Sequence, residues 1–160
     1  MTDRLTRVVE MFTSRGNLSD DVEGDVQKTA GEWLQRAQAE LAVLEPILGA
    51  GQWRVANNTA HNIYRHAAEA VDLVAGYRIL ASRGAHVATF AVASAAVEGY
   101  SDVFDSATAS TMTGTRDSLE YLDATNPVEV AEGEARWAAQ LAERAVDDAG
   151  AFLRRSSGST

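Results

Sequence analysis

Between Val22 and Leu44 apolar residues return at steps of three and four, and that spacing constrains the chain more than any other feature. Val22, Val26, Ala30, Trp33, Leu34, Ala37, Leu41 and Leu44 form one stripe, sustained over about six helical turns. A strand buries every second residue, so the pattern excludes sheet over this length. Only 2 prolines interrupt 160 residues, which leaves long helices free to run. Asp20, with Glu23 three residues on, is the expected N-cap of this helix in a weak capping box. Pro46 is expected to kink or end it, and Gly49 and Gly51 mark the loop that follows.

The same reading extends along the chain. Leu5, Val8, Val9 and Phe12 predict a short first helix from Thr2 to Thr13, closed by Gly16-Asn17. A third helix is predicted over Trp53 to Val74, with Val55, Ala56, Ala60, Ile63, Tyr64, Ala67, Ala70, Val71 and Val74 on its buried face. Its alanines suit close approach at the centre of a bundle. Gly76 and Gly84 bracket Tyr77 to Arg83, a loop or a frayed extension of that helix. Val87 to Val97 is too apolar to face much water; its length and alanine content favour helix over a buried strand, and Gly99 ends it.

A fifth helix is expected from Asp102 to Leu122, although serine and threonine from Ser106 to Thr115 propagate it poorly. For the last helix Asn126 is the expected cap, Pro127 the first helical residue and Glu129 the partner in a capping box. Val130, Trp137, Leu141, Ala145 and Phe152 form its expected buried stripe, and Arg154 to Thr160 a polar, mobile tail, with residues 1–18 as an N-terminal helical extension. The fold class is therefore all-α: one domain, an antiparallel bundle of about five long helices plus a short N-terminal helix.

Composition removes several functions. With 0 cysteines there are no disulfides, thiolate metal sites or cysteine nucleophiles. The net charge of -9 opposes non-specific binding to a phosphate backbone. No run reaches the roughly 18 to 20 uncharged apolar residues that span a bilayer, and Met1 to Arg15 lacks the apolar core of a secretory signal, so the cytoplasm is the expected compartment. His61 and His66, five apart on a helix, diverge by about 140°; Asn62 stands where a zinc protease carries glutamate, and no metal or other cofactor is expected. Phosphate-cradling glycine loops and Gly-x-Ser-x-Gly are absent from the sequence.

One short segment remains chemical. In Arg116-Asp117-Ser118-Leu119-Glu120-Tyr121, Arg116 and Glu120 share one helical face, and Asp117 and Tyr121 the adjoining one. The plain reading is an intrahelical ion pair beside a hydrogen-bonded tyrosine. Arginine ahead of glutamate is the less favourable order for such a pair, so helix stability explains it weakly. The functional reading has Arg116 gripping a phosphate bidentately while Asp117 orients a neighbouring polar group.

With Trp33 to Leu44, Tyr64 to Val71, and Gly76-Tyr77-Arg78 followed by Gly84-Ala85-His86, this segment resembles the HEPN superfamily, helical domains of prokaryotic toxin–antitoxin and phage-defence proteins. The resemblance covers roughly Asp20 to Phe152. It implies a dimer whose two motifs face each other, and in active members a metal-independent endoribonuclease with an arginine, a polar residue after it and a histidine further on. Here Arg116 and Asp117 match the first two, while Tyr121 occupies the place of the histidine. A tyrosine near pKa 10 is a poor proton acceptor at neutral pH, so the site reads as degenerate. Glu120, Arg78 and His86 join it as candidate binding residues.

Three functions follow from the resemblance. The first is a degenerate HEPN-type homodimer that binds RNA, a nucleotide or a protein partner, such as a cognate nucleotidyltransferase or antitoxin. The second is an active ribonuclease toxin that uses Tyr121 or His86. The third is a non-enzymatic interaction module, an antitoxin subunit. None places the chain in a membrane.

Overall fold

A computed structural model describes residues 2–120 and 129–158, with the side chains of 115–120 left out. Among the described residues six helices occur in the order α1 (Asp3–Ser14), α2 (Val26–Gly49), α3 (Trp53–Val74), α4 (Ala85–Ala96), α5 (Ser106–Glu120) and α6 (Glu132–Ser157). Two short strands, β1 (Leu18–Ser19) and β2 (Arg78–Ile79), pair antiparallel with Leu18 opposite Ile79. The all-α class holds, with a sheet too small for two-residue periodicity to reveal. No helix among the described residues is long and apolar enough to cross a membrane.

α3 is the axis of the bundle and touches α2, α4, α5 and α6. Its sequence explains why. Ala56, Ala60, Ala67, Ala68 and Ala70 are fully buried, and side chains this small let neighbouring helices close to the short end of the usual 8–10 Å separation. Ile63, Tyr64 and Val71 fill the larger gaps between them. α2, α3 and α6 share the main core, with Leu34, Leu44, Leu48, Leu141 and Val146 facing inward. A second, smaller core joins Leu5 and Phe12 of α1 to Ala88, Val92 and Ala95 of α4. Val55, expected on the buried face of α3, is 48% exposed because it lies at the edge of that stripe.

The strands come from helix ends of one kind. α1 closes when Asn17 N donates to Phe12 O at 2.9 Å, and α3 when Tyr77 N donates to Asp72 O at 2.9 Å. Each bond needs a left-handed residue just before the donor, supplied by Gly16 (φ 71°) and Gly76 (φ 95°). Each glycine turns the chain so that the residues two and three positions on meet as β1 and β2. Tyr77 to Arg83 is therefore strand and loop, not helix. A Cβ at Gly76 would meet nothing within 4 Å, so Gly76→Ala is expected to pay only the backbone cost, about 1–2 kcal/mol of stability by urea unfolding. Unchanged stability would show that this helix end is not held in the left-handed region.

Several boundaries move from their expected places. α2 begins after Asp25, whose carboxylate accepts from Lys28 N at 3.0 Å. Asp20 instead takes part in a tight turn, with Val22 N donating to its carbonyl, and Gly24 at φ 90° keeps helix from spreading back. Val22 accordingly leaves the stripe. Pro46 neither ends nor replaces the last turn: α2 runs to Gly49, and Ala50 N still closes on Pro46 O at 3.0 Å. A proline there forfeits a single N–H bond, while buried Leu44 and Leu48 hold the turn in place.

α4 is helical, but Val87 is 64% exposed, so its first turn does face water. α5 starts at Ser106, four residues later than expected, because the Asp105 carboxylate caps it by accepting from Thr108 N at 2.7 Å. The expected end at Leu122 and the Asn126-Pro127 cap lie outside the described residues. Glu129 is not in a helix; α6 begins at Glu132, where Ala131 N donates to Glu134 Oε2 at 2.9 Å. Ala131 has no side-chain acceptor, so only half of a capping box forms. Trp137 is 40% exposed rather than buried, whereas Val130, Leu141 and Ala145 are buried. α6 continues through Arg154 to Ser157, whose hydroxyl donates to Leu153 O at 2.9 Å, so residues 154–157, expected in a polar tail, are helical.

Candidate functional site

Where α1, α4 and α5 meet, a groove of about 380 Å³ opens on the surface. Its floor is aromatic. Phe104 and Phe90 both line it and are almost fully buried, and Tyr64 stacks on them from α3 with ring centroids 5.3 Å and 4.9 Å away. Tyr64 Oη donates to Val103 O at 2.9 Å, which fixes the loop carrying Phe104. Burial pushes the Tyr64 phenol far above its ordinary pKa, with the Asp105 charge adding to the effect, so this hydroxyl stays a donor.

The walls have a different character. Exposed Val87 with Val8 makes one side, and Ser106, Ala109, Ser110, Thr113 and Gly114 of α5 make the other. Arg4 crosses from α1, donating from Nη2 to Ser94 Oγ at 3.0 Å, with Nη1 3.5 Å from Glu98 Oε1. His86 stands exposed at the first turn of α4. Asp105 sits at the head of α5, its carboxyl held below the usual range chiefly by the N–H of Thr108. Among the described residues the lining includes no carboxylate. Such a surface can accept an apolar body while a guanidinium and an imidazole address polar or anionic groups beside it.

The residues singled out in the sequence fall in different places. His86 lines this groove and also a second cleft of about 390 Å³ with Arg65, Glu69, Ser82 and Thr89. Arg78 does not join it; it lines a third cleft of about 330 Å³ beside Asp21, Glu23 and Thr29. Pairing of β2 with β1 carries it there. Arg116, Asp117 and Glu120 lie on α5, and among the described residues the last to line the groove is Gly114, two residues before Arg116. What those three side chains contact lies outside the described residues, as does Tyr121.

Sequence reading missed Arg4 and Asp105, and also a buried polar system along α3. His66, 6% exposed, lies between Glu40 of α2 and Arg65 of its own helix. Asn57, His61 and Asp72 are buried on an adjoining face. A signal existed: Asn57, His61, Ala68 and Asp72 follow one another at four, seven and four residues, so polar groups share a line with a core alanine. Among the described residues no three histidine, aspartate or glutamate side chains converge on a common ion position. No family model, curated protein or solved structure matches the chain.

Proposed function

We propose that the chain is a catalytically degenerate HEPN-like protein of toxin–antitoxin or phage-defence type, working in the cytoplasm. Two copies face each other across the α4–α5 side, and the cleft between them receives RNA, a nucleotide or a cognate protein at Arg116. The groove carries this reading. An aromatic floor, an exposed Val87 and a lining that carries no carboxylate among the described residues lead along α5 to within two residues of Arg116. On a chain with net charge -9, a carboxylate-free stretch of that length is where a phosphate-bearing or apolar partner meets least repulsion.

His86 supports a second reading. It is an imidazole on the groove whose last described lining residue, Gly114, stands two positions before Arg116, and it supplies the ring nitrogen that Tyr121 lacks for a metal-independent endoribonuclease. Two measurements separate the readings. Light scattering at micromolar concentration is expected to give a dimer, and Val87→Glu a monomer; a wild-type monomer overturns the shared cleft. Labelled single-stranded RNA in EDTA is expected to bind without being cut, with affinity falling about tenfold or more in Arg116→Ala, the loss of one charge-assisted contact. Cleavage abolished by both Arg116→Ala and His86→Ala would establish the nuclease instead. If neither binding nor cleavage occurs and the dimer persists, an interaction module is left.

A further inference from the structure

Away from the groove, α2 and α3 are tied by a cluster in which every member is ionisable or cationic. Arg65 Nη2 lies 3.4 Å from His66 Nε2, and Arg65 Nη1 lies 3.4 Å from Glu69 Oε1. On the other side of the ring His66 Nδ1 is 3.5 Å from Glu40 Oε2, close enough for a charge contact but too poorly aligned for a hydrogen bond. Arg36 Nε completes the set at 3.7 Å from Glu40 Oε1. The Trp33 ring packs over His66, centroid to centroid 5.1 Å. Among the described residues the charges that reach the imidazole are Glu40 and Arg36 from α2 and Arg65 from α3.

A guanidinium only donates, so the Arg65 contact requires a lone pair on His66 Nε2 and places the ring proton on Nδ1, toward Glu40. A second proton removes that lone pair. Nε2–H would then point at an N–H donor 3.4 Å away, and two positive charges would share a low-dielectric site. The same proton strengthens the attraction between the ring and Glu40. One proton thus exchanges an Arg65–His66 contact for a His66–Glu40 ion pair.

We propose that Glu40, His66 and Arg65 form a proton-operated latch between α2 and α3, in which protonation of His66 expels the Arg65 guanidinium from the imidazole toward the cleft it shares with Glu69 and His86. Glu69 reinforces the release. Burial raises the pKa of its carboxyl, against the pull of Arg65, so acidification loosens the guanidinium's other partner as well. Burial, the largest cause, also lowers the pKa of His66, so the latch is closed at neutral pH and opens below the ordinary histidine range. The cleft it opens into shares His86 with the α1–α4–α5 groove, but the latch does not depend on the function proposed for that groove.

Trp33 is a built-in reporter, because a charged imidazole against an indole quenches its emission. In a Trp53→Phe/Trp137→Phe background, emission is followed from pH 8 to pH 4.5, with circular dichroism confirming that helix content holds. The expected result is a loss of Trp33 emission with a midpoint below that of free histidine. Arg65→Gln, which removes the competing cation, moves the midpoint to higher pH; Glu40→Gln, which removes the stabilising carboxylate, moves it lower. His66→Gln removes the transition. Should the His66 variant fail to fold, the opposite displacements of the other two carry the test. A midpoint in Arg65→Gln at or below wild type overturns the latch, and so does a folded protein whose Trp33 emission does not titrate.

Discussion

Tyr64→Ala is expected to lower the free energy of unfolding by about 3–5 kcal/mol, the range for deleting a large buried ring. Tyr64 is 0% exposed, stacks on Phe90 and Phe104, and holds the carbonyl of Val103. Deleting it leaves a void where α3, α4 and the 97–105 connection converge and strands a buried carbonyl. Small domains have about 5–15 kcal/mol in total, so the variant is expected to retain helix while losing fixed packing around the groove floor. Tyr64→Phe keeps the rings and gives up only the hydroxyl, at a cost of about 0.5–1.5 kcal/mol. Urea unfolding of the pair checks both, and an alanine variant within about 1 kcal/mol of wild type would remove Tyr64 as the pillar of this region.

Helix number and order were legible because the burial pattern is strong where the helices are long. The extent of α3 was legible, since Ala56, Ala60, Ile63, Tyr64, Ala67, Ala70 and Val71 line its buried side and a glycine follows close behind. Boundaries were less legible, and for a common reason. Asp20, Asp102 and Glu129 are each plausible punctuation, but the operative cap was a residue a few positions away with the better hydrogen bond: Asp25 accepting from Lys28 N, Asp105 from Thr108 N, Glu134 from Ala131 N. Propensity ranks residue types and cannot choose between two competent aspartates five residues apart. Trp137 was misplaced because an indole at helical spacing looks like core, whereas buried Ala138 and Leu141 beside it already fill that face of α6.

For the site, sequence supplied residues without neighbourhoods. His86 and the Ser106–Gly114 part of α5 come together only because α4 and α5 pack side by side across Phe90 and Phe104. Arg78, close to His86 in sequence, is drawn off by pairing of β2 with β1, a contact spanning some sixty residues that no local pattern encodes. Arg4 is a further example. On α1 it is an ordinary surface cation, and only the seating of α1 on α4 turns it toward Ser94.

Asp72→Asn is expected to stabilise the protein at neutral pH, by about 1 kcal/mol or more, because asparagine removes the cost of ionising a buried carboxyl. The Asp72 side chain is 1% exposed, and neither carboxyl oxygen has a hydrogen-bond partner among the described residues. Burial, with the Glu69 charge adding to it, raises the pKa of this carboxyl well above the ordinary aspartate value. The sign follows from linkage. The folded state holds the proton more tightly than the unfolded chain, so the favourable contribution is complete below the unfolded pKa, near 3.9 for aspartate, and is lost as pH rises through the raised folded value. Asparagine has no proton to lose. The advantage of the variant is therefore expected to be small near pH 4, to grow as pH rises, and to level off once Asp72 is ionised in both states. Paired urea titrations at several pH values read this difference directly, free of every group the two proteins share. A constant gap, or one that narrows with rising pH, would mean that Asp72 finds a partner in solution. A gap that opens as expected would mark Asp72 as a residue kept at a cost to stability, beside Glu69, whose charge it feels.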